Sequence, residues 1–243
     1  MTRIALQLWT VRDQCEADLR ATLLAIGALG YDGVELFGLN GHDAPTVRGW
    51  LDDAGLVACG RHMRLEDDVR AIAEELTVLG TERAAIAWID PAELAQPDAA
   101  VARISTAAEA AREAGVALGF HNHWSELEAL DDGGTFLDRL RALPSDLLWL
   151  ELDLGWVWIA GADPEAELAA TSGRCPIVHL KDYADRPSRD DVPVGDGVVG
   201  YDRVVPAALA AGAEWLVVEE DDAGDQPLVA VERSLRTVQE LLA

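Results

Sequence analysis

The residues best suited to chemistry are acidic and histidine side chains that follow apolar runs in the sequence. Asp153, His179 and Glu219 each end such a run, and the segment GFHNHWSELE (119–128) adds two histidines and two carboxylates. Carboxylates and imidazoles without thiolates suit Mn²⁺, Mg²⁺, Co²⁺ or Zn²⁺. Such a cation polarises a carbonyl and stabilises the enediolate that forms when the adjacent carbon loses its proton. The residue types therefore predict a divalent metal ion.

A repeated helix–glycine–strand pattern must position these residues. Six helical stretches end at a glycine that an apolar run follows: Gly30, Gly55, Gly80, Gly115, Gly173 and Gly212. Glycine just past a helix end is the expected left-handed cap. Two further apolar runs, RIALQLW and SDLLWLELD, bring the predicted strands to eight. Between the strands, apolar residues recur at helical spacing, as at Leu19, Leu23 and Ile26.

The composition of the apolar runs indicates the fold class. They are nearly continuous in Val, Ile, Leu, Ala and Trp, which is typical of parallel strands covered on both faces. Eight such units in 243 residues, without a linker or a change in composition, predict a single (β/α)₈ TIM barrel domain over residues 1–243. The first strand is not followed by the glycine-rich signatures of dinucleotide or nucleoside triphosphate folds.

Barrel enzymes carry their chemistry at the carboxyl ends of the strands, so residues at these positions are candidates for the site. In chain order the strand ends supply Gln7, Trp9, Glu35, His62, Trp88, Asp90, His121, Asp153, His179 and Glu219. We predict substrate contacts from seven side chains: Gln7, Trp9, Glu35, His62, Trp88, Trp156 and Lys181. Lys181 is the only lysine and lies two residues after His179. The tryptophans offer apolar faces to a sugar ring.

The charge composition argues against several classes of partner. A formal net charge of −25 repels nucleic acids, and no basic cluster offsets it for a phosphorylated substrate. The sequence has no run of about 18 apolar residues that would indicate a membrane span and no visible secretory signal, so we expect a cytoplasmic protein. Cys15, Cys59 and Cys175 are odd in number and widely spaced, which argues against disulfides and a structural zinc site. A homo-oligomer is left open.

Six motifs span essentially the whole chain: IALQLWTVRD, YDGVELFG, GFHNHWSELE, LELDLGWVWIAGADP, IVHLKD and VVEEDD. Together they resemble the sugar phosphate isomerase/epimerase family, which is also called the xylose isomerase-like TIM barrels. The resemblance implies one catalytic divalent metal at the barrel mouth, held by Asp153, His179, Glu219 and a residue of the fifth strand. It also implies chemistry at the carbonyl of a sugar or cyclitol.

The sequence departs from the family pattern at two positions. Many members have a metal-binding Glu at the end of the fifth strand, where this chain has His121. Either His121 is the ligand or Glu126 reaches back to the metal; we favour Glu126 and keep His121 as the alternative. Epimerases of the family tend to have His three residues after the aspartate of the sixth strand, where this chain has Trp156. This second departure argues against a plain ketose 3-epimerase.

These features predict a metal-dependent isomerase or epimerase that removes the proton next to a carbonyl of a neutral sugar or cyclitol. Glu126 and Glu219 flank the metal in this assignment, and His121 or His123 moves protons. The alternative is a lyase or dehydratase that expels the β-substituent, similar to inosose dehydratases or 3-keto-glycoside lyases. We disfavour a DNA-repair endonuclease, which would need a basic groove, and a non-catalytic partner-binding barrel, which would not need these site residues.

Overall fold

Eight parallel strands close into a barrel in the computed structural model, which describes residues 2–186 and 188–243. The barrel strands are β1 (Arg3–Gln7), β2 (Gly33–Leu36), β3 (Val57–Met63), β4 (Arg83–Ile86), β5 (Ala117–His121), β6 (Trp149–Asp153), β7 (Ile177–Leu180) and β10 (Trp215–Val218). Each pairs with the next barrel strand along the chain, and β10 pairs back with β1, so the sheet is closed. The predicted (β/α)₈ TIM barrel is confirmed.

Helices follow most of the barrel strands and cover the outside of the sheet. Within the described residues they are α1 (Arg12–Leu29), α2 (Ala44–Ala54), α3 (Val69–Leu79), α4 (Pro97–Glu113), α5 (Phe136–Arg141), α6 (Leu154–Ile159), α7 (Pro164–Ala170), α8 (Tyr201–Ala210) and α9 (Pro227–Leu241). All six glycines that the sequence predicts after helices have positive φ, from 70° at Gly55 to 102° at Gly30. Glycine adopts this backbone conformation without steric cost, which explains its repetition.

Three shorter features complete the fold. The strands β8 (Asp182–Tyr183) and β9 (Asp191–Val192) form an antiparallel pair after β7, which the sequence pattern does not predict. The three cysteines are buried and make no disulfide within the described chain. In residues 2–186 and 188–243, no helix combines the length and the apolar character that crossing a membrane requires.

Two layers of side chains fill the barrel interior. The lower layer is apolar and consists of Ala5, Cys59, Ala85, Trp149, Ile177, Trp215 and Val217. A Cβ at Gly119 would lie 2.3 Å from the Trp149 ring, so glycine is needed there to make room for the tryptophan. Because side chains alternate along a strand, the next inward positions form a polar upper layer. It consists of Gln7, Glu35, His62, His121, Glu151, His179 and Glu219.

Candidate active site

Four strands bring metal-ligating side chains together at the carboxyl end of the barrel. One ligand atom from each of His121, Asp153, His179 and Glu219 lies within 4.8 Å of the others. These residues end β5 and β6, lie within β7 and follow β10, and all four are buried. We call them the cluster. Two imidazoles and two carboxylates suit a divalent cation with mixed nitrogen and oxygen ligands.

The structure does not bring Glu126 to the cluster. Glu126 lies in a short 3₁₀ turn, Ser125–Leu127, where its Oε2 accepts hydrogen bonds from the backbone N–H of His123 at 2.9 Å and from Ser125 Oγ at 3.0 Å. The turn brings the carboxylate back onto its own loop, so it serves local backbone structure. Of the two alternatives for the fifth strand, the structure places His121 in the cluster.

A carboxylate beneath the cluster orients His179. Nδ1 of His179 lies 2.9 Å from Glu219 Oε2, and Nε2 lies 2.6 Å from Glu35 Oε2. Gln7 Nε2 donates to the same Glu35 oxygen at 2.9 Å. A carboxylate behind a histidine fixes its tautomer and ring orientation and strengthens it as a metal ligand. Gln7 and Glu35, predicted as substrate contacts, are fully buried and hold His179 instead.

Glu151 plays the same part for His121, and sequence reasoning missed it. Its Oε2 lies 3.2 Å from His121 Nδ1 and 2.7 Å from His62 Nε2. Burial and the neighbouring charge of Glu35 raise the pKa of Glu151 to about 7. The signal was present in the sequence, because Glu151 and Asp153 have the same parity on β6 and therefore point into the barrel together.

Asp153 gives the clearest sign that the cluster fits a cation. Its Oδ1 accepts a hydrogen bond from the backbone N–H of Trp156 at 2.9 Å, whereas its buried Oδ2 has no hydrogen-bond partner among the described residues. A buried polar atom without a partner is costly. Burial is the main cause that raises the pKa of Asp153 to about 6, and the Glu219 charge adds to it. Lys181 Nζ lies 3.4 Å from Oδ2 and makes an ion pair with it, but no hydrogen bond from the described residues reaches this oxygen. A divalent cation at the cluster would give Oδ2 a direct contact.

Lys181 is a buried cation beside the cluster. Its Nζ lies 2.9 Å from Asp221 Oδ2. The same atom lies 3.3 Å from Glu219 Oε2 and 3.4 Å from Asp153 Oδ2, and 5.0 Å from the ring centre of Trp156. Burial alone would lower its pKa, but the surrounding carboxylates hold the pKa of Lys181 well above the ordinary value. Lys181 therefore stays charged and offsets part of the negative charge of the cluster.

The charges of the cluster favour ionised side chains despite burial. Burial raises the pKa of Glu219, but Lys181 and His179 outweigh it and hold this pKa well below its usual range. Burial likewise lowers the pKa of His179, but Glu35, Glu151 and the hydrogen bond with Glu219 raise it well above its usual value. The raised pKa of His179 places positive charge on its ring between these carboxylates. A divalent cation would take over that positive charge.

A cavity of about 460 Å³ opens above the cluster. Six of the predicted site residues line it: Trp9, His62, Trp88, His121, His123 and Glu219. The Nδ1 atom of His123 is buried and meets no hydrogen-bond partner in residues 2–186 and 188–243. Burial and the Lys181 charge lower the pKa of His123 to about 3, so its ring is neutral at pH 7 and its Nδ1 can accept a hydrogen bond.

Two other predicted positions contribute no ligand atom to the cluster. Trp156 packs between Trp124, with ring centres 5.0 Å apart, and Tyr183, with ring centres 5.5 Å apart. It is buried and forms a wall beside Lys181. Asp90 caps the short turn Pro91–Ala95 by accepting from the backbone N–H of Ala92 at 2.9 Å, so its role is local.

Comparison with known proteins gives one family match and many similar folds. The family model described as "Xylose isomerase-like TIM barrel" matches residues 23–241. No curated protein matches the chain at a significant level. Among solved structures, a sugar phosphate isomerase/epimerase from Parabacteroides distasonis is 19% identical, with a TM-score of 0.83, and the match covers 98% of this chain and 94% of that one.

Two further solved structures represent different reactions on the same fold. The probable 3-DHS dehydratase AsbF from Bacillus anthracis is 15% identical with a TM-score of 0.74, over 98% of this chain and 99% of that one. An L-ribulose 3-epimerase is 16% identical with a TM-score of 0.72, over 100% of this chain and 95% of that one. At these identities the likeness shows the shared fold.

Proposed function

Because the chain belongs to the xylose isomerase-like TIM barrel family, we propose that it is a divalent-metal-dependent enzyme that acts on a neutral sugar or cyclitol. The reaction begins by removal of the proton on the carbon next to a carbonyl. Return of a proton to the same or a neighbouring carbon completes an isomerisation or epimerisation. The observation that carries this proposal is the cluster of His121, Asp153, His179 and Glu219, of which His121 and Glu219 line a pocket.

The cluster would hold the cation, with His121 in the fifth-strand position rather than Glu126. When bound, the cation polarises the substrate carbonyl as a Lewis acid. Glu35 and Glu151 hold the rings of His179 and His121 in place by contacts at 2.6 and 3.2 Å. This support fixes both imidazoles before substrate arrives, which is what a preorganised site requires.

Proton transfer is assigned to two side chains that line the pocket. Glu219 and His123 both border the cavity above the cluster. Glu219 also contacts His179 and Lys181 and stays ionised, and His123, whose Nδ1 has no partner in the described chain, is the second candidate. A base must lie within hydrogen-bond reach of the proton that it removes. His121, a predicted proton carrier, is assigned to the metal.

Elimination is a second candidate because it shares the first step. If the substituent on the next carbon departs after proton removal, the same site performs a dehydratase or lyase reaction. Lys181 favours this candidate, since its charged Nζ pairs with Glu219 and Asp221, which both line the pocket, and keeps positive charge next to the reacting groups. The dehydratase with the same fold is a further argument for it.

Exchange of substrate protons with solvent tests both candidates together. The metal-loaded protein is incubated in D₂O with a panel of keto sugars and inososes, and deuterium at the carbon next to the carbonyl is measured by NMR. We expect exchange in the wild type, and its loss after chelation and in Glu219→Gln. Glu220→Gln, which changes the adjacent carboxylate that hydrogen-bonds Ser234, is the matched control and should keep exchange. Exchange that survives chelation and Glu219→Gln would contradict the proposal, and so would no exchange with the whole panel.

A further inference from the structure

Two exposed tryptophans border the same pocket as the cluster. Trp9 is 42% exposed and Trp88 is 55% exposed, and within residues 2–186 and 188–243 they are the aromatic side chains among the exposed large hydrophobics. Both line the cavity whose floor includes His121 and Glu219. Indole rings are usually buried over most of their surface, so two exposed rings at one pocket indicate a surface that a ligand covers.

The Trp9 ring is held in place although it is exposed. Phe37 contacts it edge-on, with ring centres 5.5 Å apart, and the Arg12 guanidinium lies 4.8 Å from its ring centre. Nη1 of Arg12 also donates to the carbonyls of Trp9 at 3.0 Å and Asp221 at 2.9 Å. These contacts tie the loop after β1 to the loop after β10. A ring fixed before binding loses little conformational entropy when a ligand packs on it.

A hydrogen-bond donor accompanies the aromatic rings. Arg61 lines the pocket, its Nη1 pairs with Glu75, and its Nε is buried without a partner in the described part of the chain. Because Glu75 neutralises the guanidinium, the remaining donor suits a neutral acceptor oxygen. Asp67 and Asp221 also border the cavity and oppose an anionic ligand.

The pocket therefore has a polar floor and an outer wall of a different character. Its floor includes His121 and Glu219 of the cluster, whereas Trp9, Phe37 and Trp88 line it with aromatic rings. The cavity volume of about 460 Å³ lies in the range of roughly 300–1,000 Å³ that takes drug-sized ligands. Such ligands are larger than one sugar ring, so a single ring at the cluster would leave the outer wall uncovered.

We propose that the substrate has a second ring attached to the sugar that reaches the cluster. This ring has a flat apolar face that packs against Trp9 and Trp88, and an edge oxygen that accepts a hydrogen bond from Arg61 Nε. A second sugar and an aryl group share this chemistry. The proposal rests on the proposed function for the position of the first sugar, and it adds that the substrate is a glycoside.

Binding of three unreactive probes to the Mn²⁺-loaded protein tests the second ring. Methyl β-glucoside has one ring, phenyl β-glucoside adds an aryl ring, and cellobiose adds a sugar ring. We expect at least one two-ring probe to bind ten or more times as tightly as methyl β-glucoside, by titration calorimetry. Trp9→Ala and Trp88→Ala should reduce this advantage to less than threefold. The probe that shows the advantage identifies the ring as aryl or sugar.

Conservative variants and a distant control distinguish the loss of a ring contact from a general loss of folded structure. Trp9→Phe and Trp88→Phe should keep most of the advantage, because an apolar ring face remains. Arg61→Lys should lower the affinity of the two-ring probes three- to tenfold, because it removes Nε and retains the charge opposite Glu75. Val229→Ala, at a 58% exposed site on α9 away from the pocket lining, should change nothing.

The proposal is overturned if neither two-ring probe binds more tightly than methyl β-glucoside, or if the advantage persists in Trp9→Ala and Trp88→Ala. It is also overturned if these variants change the sedimentation coefficient and leave probe affinity unchanged, because the rings would then contact another protein chain. Failure of the proposed function has a different signature: the wild type would not bind Mn²⁺ and would not exchange substrate protons.

Discussion

The two layers of the barrel interior lie on the same strands, about two residues apart, yet they differ in almost every physical property. On β6, Trp149 of the lower layer is followed two positions later by Glu151 of the upper layer. On β7 and β10, Ile177 and Val217 are followed in the same way by His179 and Glu219. In the lower layer, apolar side chains pack around glycines. In the upper layer, ionisable side chains fill the barrel interior.

This difference distinguishes the residues that stabilise the barrel from the residues that provide its chemistry. Burial of apolar surface in the lower layer stabilises the fold. Buried charges in the upper layer cost desolvation energy that close pairs offset only in part. Nε2 of His62 lies 2.7 Å from Glu151 Oε2, and Nε2 of His179 lies 2.6 Å from Glu35 Oε2. Substitution in the lower layer should therefore reduce stability, and substitution in the upper layer should mainly reduce function.

Asp153→Asn should produce the largest separation of function from stability. Proton exchange should fall by about 10²- to 10³-fold, the range for removal of one preorganised group. The metal-free variant should be as stable as the wild type or more stable, because the raised pKa of Asp153, about 6, means that its charged form is disfavoured in the fold. Solvent exchange and urea unfolding in the presence of a chelator measure the two quantities. A large loss of metal-free stability would contradict the comparison.

Trp215→Ala should show the reverse pattern in the lower layer. Trp215 is 1% exposed and packs against Gly33, where a Cβ would lie 2.9 Å from its ring. Its truncation should lower the free energy of unfolding by about 3–5 kcal/mol. At a temperature where the variant remains folded, its affinity for Mn²⁺ should match the wild type. A variant that keeps its stability and loses the metal would show that the two layers are not separable in this way.

Glu220 sharpens the comparison because it is a buried carboxylate that hydrogen-bonds a neutral partner, Ser234 Oγ, at 3.1 Å. Burial raises its pKa from 4.5 to about 7. The folded protein therefore holds this proton more tightly than the unfolded chain, so stability is highest below the unfolded pKa and falls as pH rises toward 7. Between pH 5 and pH 8 the wild type should lose about 2–3 kcal/mol relative to Glu220→Gln. If the difference in unfolding free energy between the wild type and Glu220→Gln stays constant over this pH range, the raised pKa of Glu220 is contradicted.

Glu35→Gln should have the smallest effect of the four. Glu35 contacts His179 from beneath and does not line the cavity. Loss of a carboxylate behind a metal-binding histidine costs about 10- to 100-fold in metal affinity. Mn²⁺ titration should show that decrease, whereas Glu220→Gln should bind Mn²⁺ like the wild type. If Glu35→Gln and the wild type bind Mn²⁺ with equal affinity, Glu35 does not orient His179.

The sequence predicts the fold because each element carries its own local signal. Apolar runs mark all eight barrel strands, and the glycines at positions such as Gly30 and Gly55 mark the helix ends. The pair formed by β8 and β9 has only two residues in each strand. It was missed because two residues are too few to show a periodic pattern.

The candidate site is predictable at strand ends and not in the loops beyond them. His121, Asp153, His179 and Glu219 were all identified, because strand ends converge in a barrel. Glu151 is harder to predict because it lies one inward position before the end of β6, within an apolar strand. The place of Glu126 depends on the 3₁₀ turn Ser125–Leu127. Such a turn is decided by local hydrogen bonds, which spacing along the chain does not reveal.

Mn²⁺ binding by titration calorimetry to the wild type, His121→Ala and Glu126→Gln tests the central claim most directly. The claim is that His121 joins Asp153, His179 and Glu219 around one divalent cation. We predict one site per chain in the wild type, an affinity at least about 100-fold weaker in His121→Ala, since a direct ligand outweighs an outer carboxylate, and an affinity within threefold of the wild type in Glu126→Gln. Loss of binding in Glu126→Gln with retention in His121→Ala, or no binding in the wild type, would contradict it.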